Sequence, residues 1–576
     1  MKNQKKFTTR EVLVGNIAIG KNNPIRIQSM TNTKTEDIQA TINQILQLYD
    51  CGCEIVRLTV QGKKQAFALE KIKNLLLKKN CTIPLVADIH FYPPAAFIAA
   101  DFVEKIRINP GNFAEKRAVF QKKILTDKLY QQELEKIEEK LFLLIEKLKI
   151  NKTALRIGVN YGSLSDRIMT KYGNTVKAMI ISAIEYANIF RKYNYHDIIF
   201  SMKASSAFLM IEAYKALIEE MIKLNWNYPL HLGVTEAGDL EDGIIKSSAG
   251  IGALLLDGIG DTIRVSLTAH PIKEIKPAKQ LIELCKNRIK NKTFHKNIEK
   301  NSNKIFLAIK PKSDDLTDNK ISMVDIFFLD NSNIYLKEQL KIFNKPLFSN
   351  KTSKDIINIY SLDEISGKPL KNSYVLKLSS SDDLENLKTI KIKPLFIIYK
   401  PLYSYIENIR KFSAFIKKKN INIPVIINLQ YDQKLEDIKI LATSEIGLIL
   451  YEKLANGILL ETKYNNLELS LNILQACKLK RYKAEFISCP GCGRTLFDIQ
   501  ATVKKIKEKM PSSPDIKIAI MGCIVNGPGE MQDADFGYVG SSKGKVDLYV
   551  NKICIEKNIQ ETKAVEKLIF LIKEKK

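Results

Sequence analysis

PIRIQSMTNTKTEDIQATINQILQLYDCGCEIVRLTV, residues Pro24 to Val60, is the stretch whose reading decides the fold. It opens on a short strand-like run, PIRIQSM, passes through an apolar-periodic segment, ATINQILQLYDCG, and closes on a second short run, EIVRLTV. Short β-rich runs bounded by turn residues read as strands, and a period near 3.6 reads as helix, so the stretch predicts one strand–helix–strand unit. The alternation then continues through PLVADIH from Pro84, KIRINPG from Lys105, ALRIGVN from Ala154, DIIFSMKAS from Asp197, PLHLGVTE from Pro229 and TIRVSLT from Thr262. Helix-length segments such as MIISAIEYANIFRK lie between them. Eight repeats of strand and helix predict a (β/α)8 TIM barrel. The connection from Phe113 to Ile150 is longer and rich in Glu, Lys and Leu, and reads as extra helix.

Strand parity gives this barrel a chemistry. Residues two apart share a face, which pairs Arg57 with Thr59, Asp88 with His90, Arg107 with Asn109, Arg156 with Asn160, Lys203 with Ser205, and Arg264 with Ser266. Each set lies toward the C-terminal end of its strand, where barrel enzymes build their sites. Some of these residues could simply pair with a neighbour, Arg264 with Asp261 for instance. As a set they aim several cations into one mouth, which calls for an anion there. Arginine forks and amides match phosphate oxygens, so a substrate with two phosphates fits. The glycine-rich turn in DGIGDTIRVSLT, from Asp257, precedes the eighth strand, the usual barrel phosphate position.

Farther on the chain reads CPGCGR, Cys489 to Arg494, and then MGCIVNGPGE, Met521 to Glu530. Cysteines in tight turns bind soft metals or iron–sulfur clusters. No histidine follows His295, which excludes a Cys/His zinc finger here. A four-thiolate site would need Cys554 or Cys477; the other option is three thiolates with one weaker ligand. A zinc knuckle of Cys489, Cys492, Cys523 and Cys554 is the bland alternative, although Cys554 lies in VDLYVNKICIEK, which reads as strand.

Composition sets outer bounds. A chain of 576 residues with 45% hydrophobic content should hold two to four domains. No apolar run is long enough to span a membrane, and the basic N-terminus lacks the apolar core of a signal peptide. Nine cysteines, with a CxxC pair, suit a reducing cytoplasm better than a disulfide scaffold. The formal charge of +27 comes from 77 lysines and 13 arginines. The lysines are spread along the chain without interleaved aromatics, so a solvated surface is expected, with no nucleic-acid partner. Five of the scarce arginines fall in the strand-like segments, which makes those positions informative.

IQSMTNTKTEDIQATINQI, GCEIVRLTV, VADIHF, KIRINPGN, LRIGVNYGSL, MKAS, LHLGVTEAG and LLLDGIGDTIRVSLT resemble the barrel of the hydroxymethylbutenyl diphosphate synthases. CPGCGRTLFD and MGCIVNGPGE resemble that family's iron–sulfur domain. The resemblance covers nearly all of residues 8–285 and 480–555, in the family's order. It implies a reductive ring opening of 2-C-methyl-D-erythritol 2,4-cyclodiphosphate in the methylerythritol phosphate route to isoprenoids. It further implies one 4Fe–4S cluster per chain, held by Cys489, Cys492, Cys523 and Glu530. Arg57, Arg107, Arg156, Lys203, Arg264 and Ser266 would hold the diphosphate, and Asp88, His90, Asn109, Asn160 and Thr235 would orient the substrate. Glu236 would assist departure of the hydroxyl as the catalytic acid. The implied partners are ferredoxin or flavodoxin as electron donor and the iron–sulfur assembly machinery, in a bacterial cytoplasmic enzyme that is a monomer or a homodimer.

The expected domains are 1–290, the substrate-binding TIM barrel; 291–475, an inserted α/β scaffold or degenerate barrel; and 476–576, an α+β domain for the cluster. The insert resembles that of the family's long, three-domain form. Its strand-like runs are KIFLAIK, VDIFFLD, SYVLKL, KPLFIIYK, IPVIINL and IGLILYE, and it shows no catalytic constellation. AKQLIELCKNR, from Ala278, and LSLNILQACKLKR, from Leu469, both look like closing barrel helices. A radical S-adenosylmethionine enzyme would need a CxxxCxxC loop after the first strand, where Gln28-Ser29-Met30 stands instead.

Overall fold

The computed structural model describes residues 7–115, 126–288, 305–330, 332–349, 356–361, 364, 374–379, 393–402, 405–510, 514–525, 527–531 and 533–575. The chain forms two compact units, Met1–Asn297 together with Lys483–Lys576, and Ile298–Tyr482. The expected boundary at 290 lies outside the described residues, as does Asn526 of the second cysteine motif. Residues 476–482, expected with the cluster domain, fall in the second unit.

The first unit begins with a hairpin, β1 (Val12–Val14) and β2 (Ile17–Ile19), turning at Gly15 with φ +59°. Eight parallel strands follow: β3 (Arg26–Met30), β4 (Ile55–Val60), β5 (Leu85–Ile89), β6 (Lys105–Ile108), β7 (Ala154–Asn160), β8 (Ile198–Lys203), β9 (His231–Leu232) and β10 (Thr262–Ile263). Each lies in one of the eight runs read from the sequence. Their hydrogen-bonded order is β8-β7-β6-β5-β4-β3-β10-β9, and a parallel bridge between Phe200 and Leu230 joins the two ends. Val12, Val14 and Ile19 of the hairpin pack on Ile55, Val86, Ala154 and Ile199, the first inward residues of four strands. The hairpin therefore seals the N-terminal end of the barrel and leaves the C-terminal end as the mouth. The long connection carries a helix over Asp127–Asn151, and its residues 116–125 lie outside the described set.

The C-terminal part of this unit is a five-stranded mixed sheet, β19 (Glu485–Ser488), β20 (Lys517–Met521), β21 (Phe536–Ser542), β22 (Lys545–Val550) and β23 (Ile553–Gln560). β19, β20 and β21 run parallel, and β22 and β23 return antiparallel. Helices Ile499–Lys509 and Glu561–Glu574 bury Val503, Ile506, Leu568 and Ile572 against it.

The second unit is a closed barrel of eight parallel strands, β11 (Phe306–Ile309), β12 (Ile326–Leu329), β13 (Leu347–Ser349), β14 (Ile357–Tyr360), β15 (Tyr374–Leu378), β16 (Phe396–Tyr399), β17 (Val425–Tyr431) and β18 (Gly457–Thr462). Its interior is filled by Ala308, Ile326, Phe328, Phe348, Ile359, Val375, Ile398, Ile426 and Leu459. The run IGLILYE, read as a strand, instead ends the helix Leu435–Tyr451. Ile446, Leu448, Ile449 and Leu450 are all buried there, so no polar face marked the helical period. The strand before the closing helix is Gly457–Thr462, and helix Leu467–Ala476 follows it, as Ile275–Lys286 follows β10. Among the described residues no helix is long and apolar enough to cross a membrane.

Candidate active site

Above the layer that packs on the hairpin, the inward side chains become charged. Register places Asp88 beside Arg107 and Arg107 beside Arg156 on adjacent strands. Arg107 donates from Nη1 to Asp88 Oδ1 at 3.0 Å and from Nη2 to the Gly158 carbonyl at 2.9 Å. A Cβ at Gly158 would lie 2.5 Å from Arg107 Nε, so only glycine leaves room for that guanidinium. Arg57 sits against the Met30 sulfur, with Nη2 at 2.9 Å. Arg264 forks onto Glu274, at 3.1 and 2.9 Å, while Asp261 engages Thr9 and the Leu230 amide instead. Arg156, only 1% exposed, has no hydrogen-bond partner for Nε or Nη1.

Burial dominates the electrostatics. It pushes Arg57 down to about 10 and holds Arg156 and Lys203 well below their usual values, each shift reinforced by neighbouring cations. His90 is pushed down to about 3 by burial and by Arg494, and is therefore neutral near pH 7. Its Nε2 lies 2.7 Å from Arg107 Nη1 and accepts from that guanidinium, and its Nδ1 lies 3.2 Å from the Asn112 side-chain nitrogen. Asp88, although buried, is held well below the ordinary carboxylate range by Arg57 and Arg107.

The small sheet closes this mouth. Cys489 directly follows β19, and Cys523 follows β20 by two residues, so the C-terminal ends of two parallel strands carry both motifs. The Gly522 amide donates to Cys489 Sγ at 3.2 Å, and the Cys492 amide donates to Thr495 Oγ1 at 2.9 Å. Thr268 Oγ1 meets Ser488 Oγ at 2.7 Å and the Cys489 carbonyl at 3.1 Å, which ties barrel to lid. At the rim Lys507 bonds Asp239 and Asp242, at 2.6 and 3.0 Å, and Lys483 bonds Asp242 at 2.7 Å. A Cβ at Gly529 would lie 1.4 Å from the Gly162 carbonyl oxygen, so the two backbones touch. Burial raises the Cys489 and Cys523 thiols, and each also feels a neighbouring sulfur. Burial would raise Cys492 too, but the Arg494 guanidinium overrides it and the net shift is downward.

Two carboxyls complete the arrangement. Glu236 follows Thr235 in the loop after β9 and holds φ +48°, with Gly238 at +109°. A left-handed glutamate in a buried loop is a strained backbone, the kind that surrounding structure enforces at functional sites. Thr235 Oγ1 reaches Glu530 Oε2 at 3.5 Å. Burial raises both carboxyls, and Glu236 raises Glu530 further by like-charge repulsion. Glu236 Oε2 and Glu530 Oε1 are buried without hydrogen-bond partners.

A cavity of about 90 Å³ lies between barrel and lid, room for roughly six waters or a small polyanion in their place. Arg57, Asp88, His90, Arg107, Arg156, Asn160, Lys203, Thr235, Glu236, Arg264 and Ser266 line it, with Cys489, Cys492 and Cys523 on the lid side. Asn109 does not line it: its Nδ2 bonds Ser163 Oγ at 2.7 Å and its Oδ1 accepts from the Gly111 amide, which shapes the loops beneath the lid. Glu530 reaches the site through Thr235 and Glu236. Cys554 pairs across β22 with Tyr549 and does not line the cavity, and Cys477 caps a helix of the second unit, where burial pushes its thiol up to about 12. Sequence reasoning missed Met30, Met521 and Arg494. The signal for Arg494 was its rarity, an arginine where lysine is the default, standing two residues from a motif cysteine.

A barrel mouth lined with buried cations and covered by a lid carrying three thiols and a carboxyl is the form of a barrel enzyme whose site lies between a cationic floor and a thiol-bearing lid. Residues 9–279 match the GcpE TIM-barrel domain, and residues 485–574 match the GcpE protein C-terminal domain. The 4-hydroxy-3-methylbut-2-en-1-yl diphosphate synthase (flavodoxin) of Protochlamydia amoebophila (strain UWE25) is 45% identical, over 98% of this chain and 95% of its own. The chloroplastic (ferredoxin) enzyme of Arabidopsis thaliana is 39% identical over 98% of this chain and 87% of its own. The (flavodoxin) enzyme of Phocaeicola vulgatus is 38% identical over 99% and 98%. The chain belongs to the 4-hydroxy-3-methylbut-2-en-1-yl diphosphate synthase family and is an enzyme of that type.

Proposed function

We propose that the cavity holds 2-C-methyl-D-erythritol 2,4-cyclodiphosphate and that Cys489, Cys492, Cys523 and Glu530 hold one 4Fe–4S cluster above it. The chain catalyses the family's reaction, reductive ring opening and dehydroxylation of that compound to 4-hydroxy-3-methylbut-2-enyl diphosphate in isoprenoid biosynthesis. Two electrons and a proton are consumed, and water leaves. The observation that carries the site assignment is the charge imbalance. Arg57, Arg107, Arg156, Lys203, Arg264 and Arg494 line one cavity, and among the described residues Asp88 and Glu274 are the carboxylates in ion pairs with them.

The donor set suits the cluster. Cys489, Cys492 and Cys523 line the lid side of the cavity, and the buried oxygen Glu530 Oε1 has no hydrogen-bond partner; three soft ligands with one exchangeable oxygen suit iron. When bound, such a cluster supplies single electrons and a Lewis-acidic iron. Arg57, Arg107, Arg156, Lys203, Arg264 and Ser266 grip the diphosphate, whose oxygens would satisfy Arg156 Nε and Nη1. Asp88, His90, Asn160 and Thr235 orient it, and Asn109 acts through the loop it shapes. Glu236, whose carboxyl burial shifts toward the protonated form, delivers its proton to the departing hydroxyl from the cavity wall. The lid clamped over the mouth excludes water from this transfer. Electrons come from a flavodoxin or ferredoxin, the cluster from the iron–sulfur assembly machinery, and the setting is the cytoplasm. Barrel and lid of one chain complete the cavity, which supports a monomer as the active unit; the inserted barrel serves as a spacer.

Anaerobic purification followed by absorption, iron and sulfide analysis tests this. Expected are a broad band near roughly 400 nm, about four irons per chain, and a spectral change on adding the cyclic diphosphate. A colourless protein with stoichiometric zinc, made alongside cluster-assembly machinery, would overturn the cluster assignment.

A further inference from the structure

We propose that Met30 is a positioning residue: its sulfur holds the guanidiniums of Arg57 and Arg264 side by side in the barrel mouth, ready for the diphosphate, without cancelling their charge. The inference rests on the reading that this cavity binds the cyclic diphosphate. Met30 is the last residue of β3, lines the cavity and is 2% exposed. Arg57 donates to its Sδ from Nη2 at 2.9 Å and from Nε at 3.1 Å, so one edge of that guanidinium rests on the sulfur. Arg264 Nη1 reaches the same atom at 3.6 Å. Among the described residues the Arg57 side chain makes its hydrogen bonds to Met30 alone.

Strand order produces this meeting. β3 lies between β4, which carries Arg57, and β10, which Arg264 directly follows. Register sets Met30 beside Arg57, and residues in register on adjacent strands present their side chains to one face. Glu274 occupies the rest of the Arg264 fork through Nε and Nη2, which leaves Nη1 for the sulfur. Asp88, the carboxylate whose field favours a charged Arg57, is already engaged by Arg107 and Arg494, at 3.0 and 3.1 Å.

The identity of the acceptor atom decides what the site can do. After burial, Arg264 does most to lower Arg57, so two like charges repel across the sulfur. A carboxylate in place of Met30 would hold both cations, but it would neutralise a floor that must receive a polyanion. A hydrocarbon side chain would fill the space and offer no acceptor, and the two guanidiniums would be free to turn apart. A thioether is neutral, polarisable and a weak acceptor, so it can orient both forks and leave their charge intact.

The test compares anaerobic holoenzyme of wild type, M30L, M30Q and M30E. Titration calorimetry gives Kd for the cyclic diphosphate, turnover gives KM and kcat, and crystal structures of wild type and M30L locate the Arg57 guanidinium. M30L keeps the volume but loses the acceptor, and is expected to raise Kd and KM about tenfold while kcat changes less. M30Q restores a neutral acceptor and is expected to bind within about threefold of wild type. M30E is expected to bind about a hundredfold more weakly. A packing role alone predicts the opposite order, because leucine replaces methionine in a core at little cost whereas a buried amide does not. M30L binding as wild type does, M30Q binding more weakly than M30L, or M30E binding as tightly as M30Q would each overturn the proposal. A wild-type enzyme that fails to bind the cyclic diphosphate would count against the cavity reading alone. The crystal structures still decide the role of the sulfur: an Arg57 guanidinium displaced in M30L supports it, and one left in place overturns it.

Discussion

Gly529→Ala is the smallest change that should open the site. A Cβ there would lie 1.4 Å from the Gly162 carbonyl oxygen and 2.5 Å from its carbonyl carbon, and both obstacles are backbone. Ordinary contact begins near 3.4 Å, so the two loops must separate by about 2 Å. The displaced loop carries Glu530, whose carboxylate already reaches Thr235 at only 3.5 Å. A misplacement of about 1 Å in a positioned site can cost about 100-fold in rate, so a loss of at least that size in kcat/KM is expected. Steady-state turnover with a chemical reductant measures it, with iron content and thermal unfolding checked in the same preparations. Gly62→Ala is the control, since a Cβ there meets only the Gln65 side-chain oxygen at 3.7 Å. Because Gly529 packs against the barrel and not into the sheet's own core, the melting temperature should fall little. A G529A enzyme with full iron and kcat/KM within about threefold of wild type would refute the idea that this backbone contact sets the lid.

Three further outcomes follow from other parts of the molecule. Arg156→Met removes a buried guanidinium that lacks partners at Nε and Nη1, so the ligand-free protein should gain about 1 kcal/mol or more in urea melts while the cyclic diphosphate binds about 100-fold more weakly. Asp242 is held down to about 2 by Lys483 and Lys507 against the opposing effect of burial. Its stabilising contribution is therefore present above the unfolded value near 3.9 and fades as pH falls toward 2, with about 1 kcal/mol lost by pH 3; urea melts of apo protein should show that slope in wild type and not in D242N. Replacing residues 298–482 by a flexible linker should make specific activity depend on enzyme concentration, as lids are exchanged between chains; a dilute monomer with full activity would remove the spacer role.

The first barrel was legible because each of its strands is bounded by turn residues and its inward positions carry rare side chains. Arg57, Asp88, Arg107, Arg156 and Arg264 announced both the period and the face. The inserted barrel was less legible, since its inward positions are apolar like its outward ones, and a helix such as Leu435–Tyr451, buried nearly all round, carries no periodic signal. The hairpin plug went unread although VLVGNIAIG alternates around Gly15, because nothing local says which end of a barrel a hairpin will close. Asn109 was placed with the site by parity and by the family resemblance. The chain turns at Pro110-Gly111 directly after it, and a side chain at a turn is free to bond its own loop.

What parity could not supply was the partner across the mouth. Asp88 was visible as an inward carboxylate, but its role depends on Arg494, which lies 406 positions away in sequence. The same holds for Glu236 and Glu530, 294 positions apart: burial raises both, and Glu236 raises Glu530 further. Each of these residues is unremarkable on its own strand or turn. They meet only where lid and barrel touch, and that contact is fixed by small residues, Gly162, Gly493 and Gly529, that let backbones approach. In this chain the residues of the candidate site are therefore written in the two halves separately, and the glycines at the seam let the two halves meet.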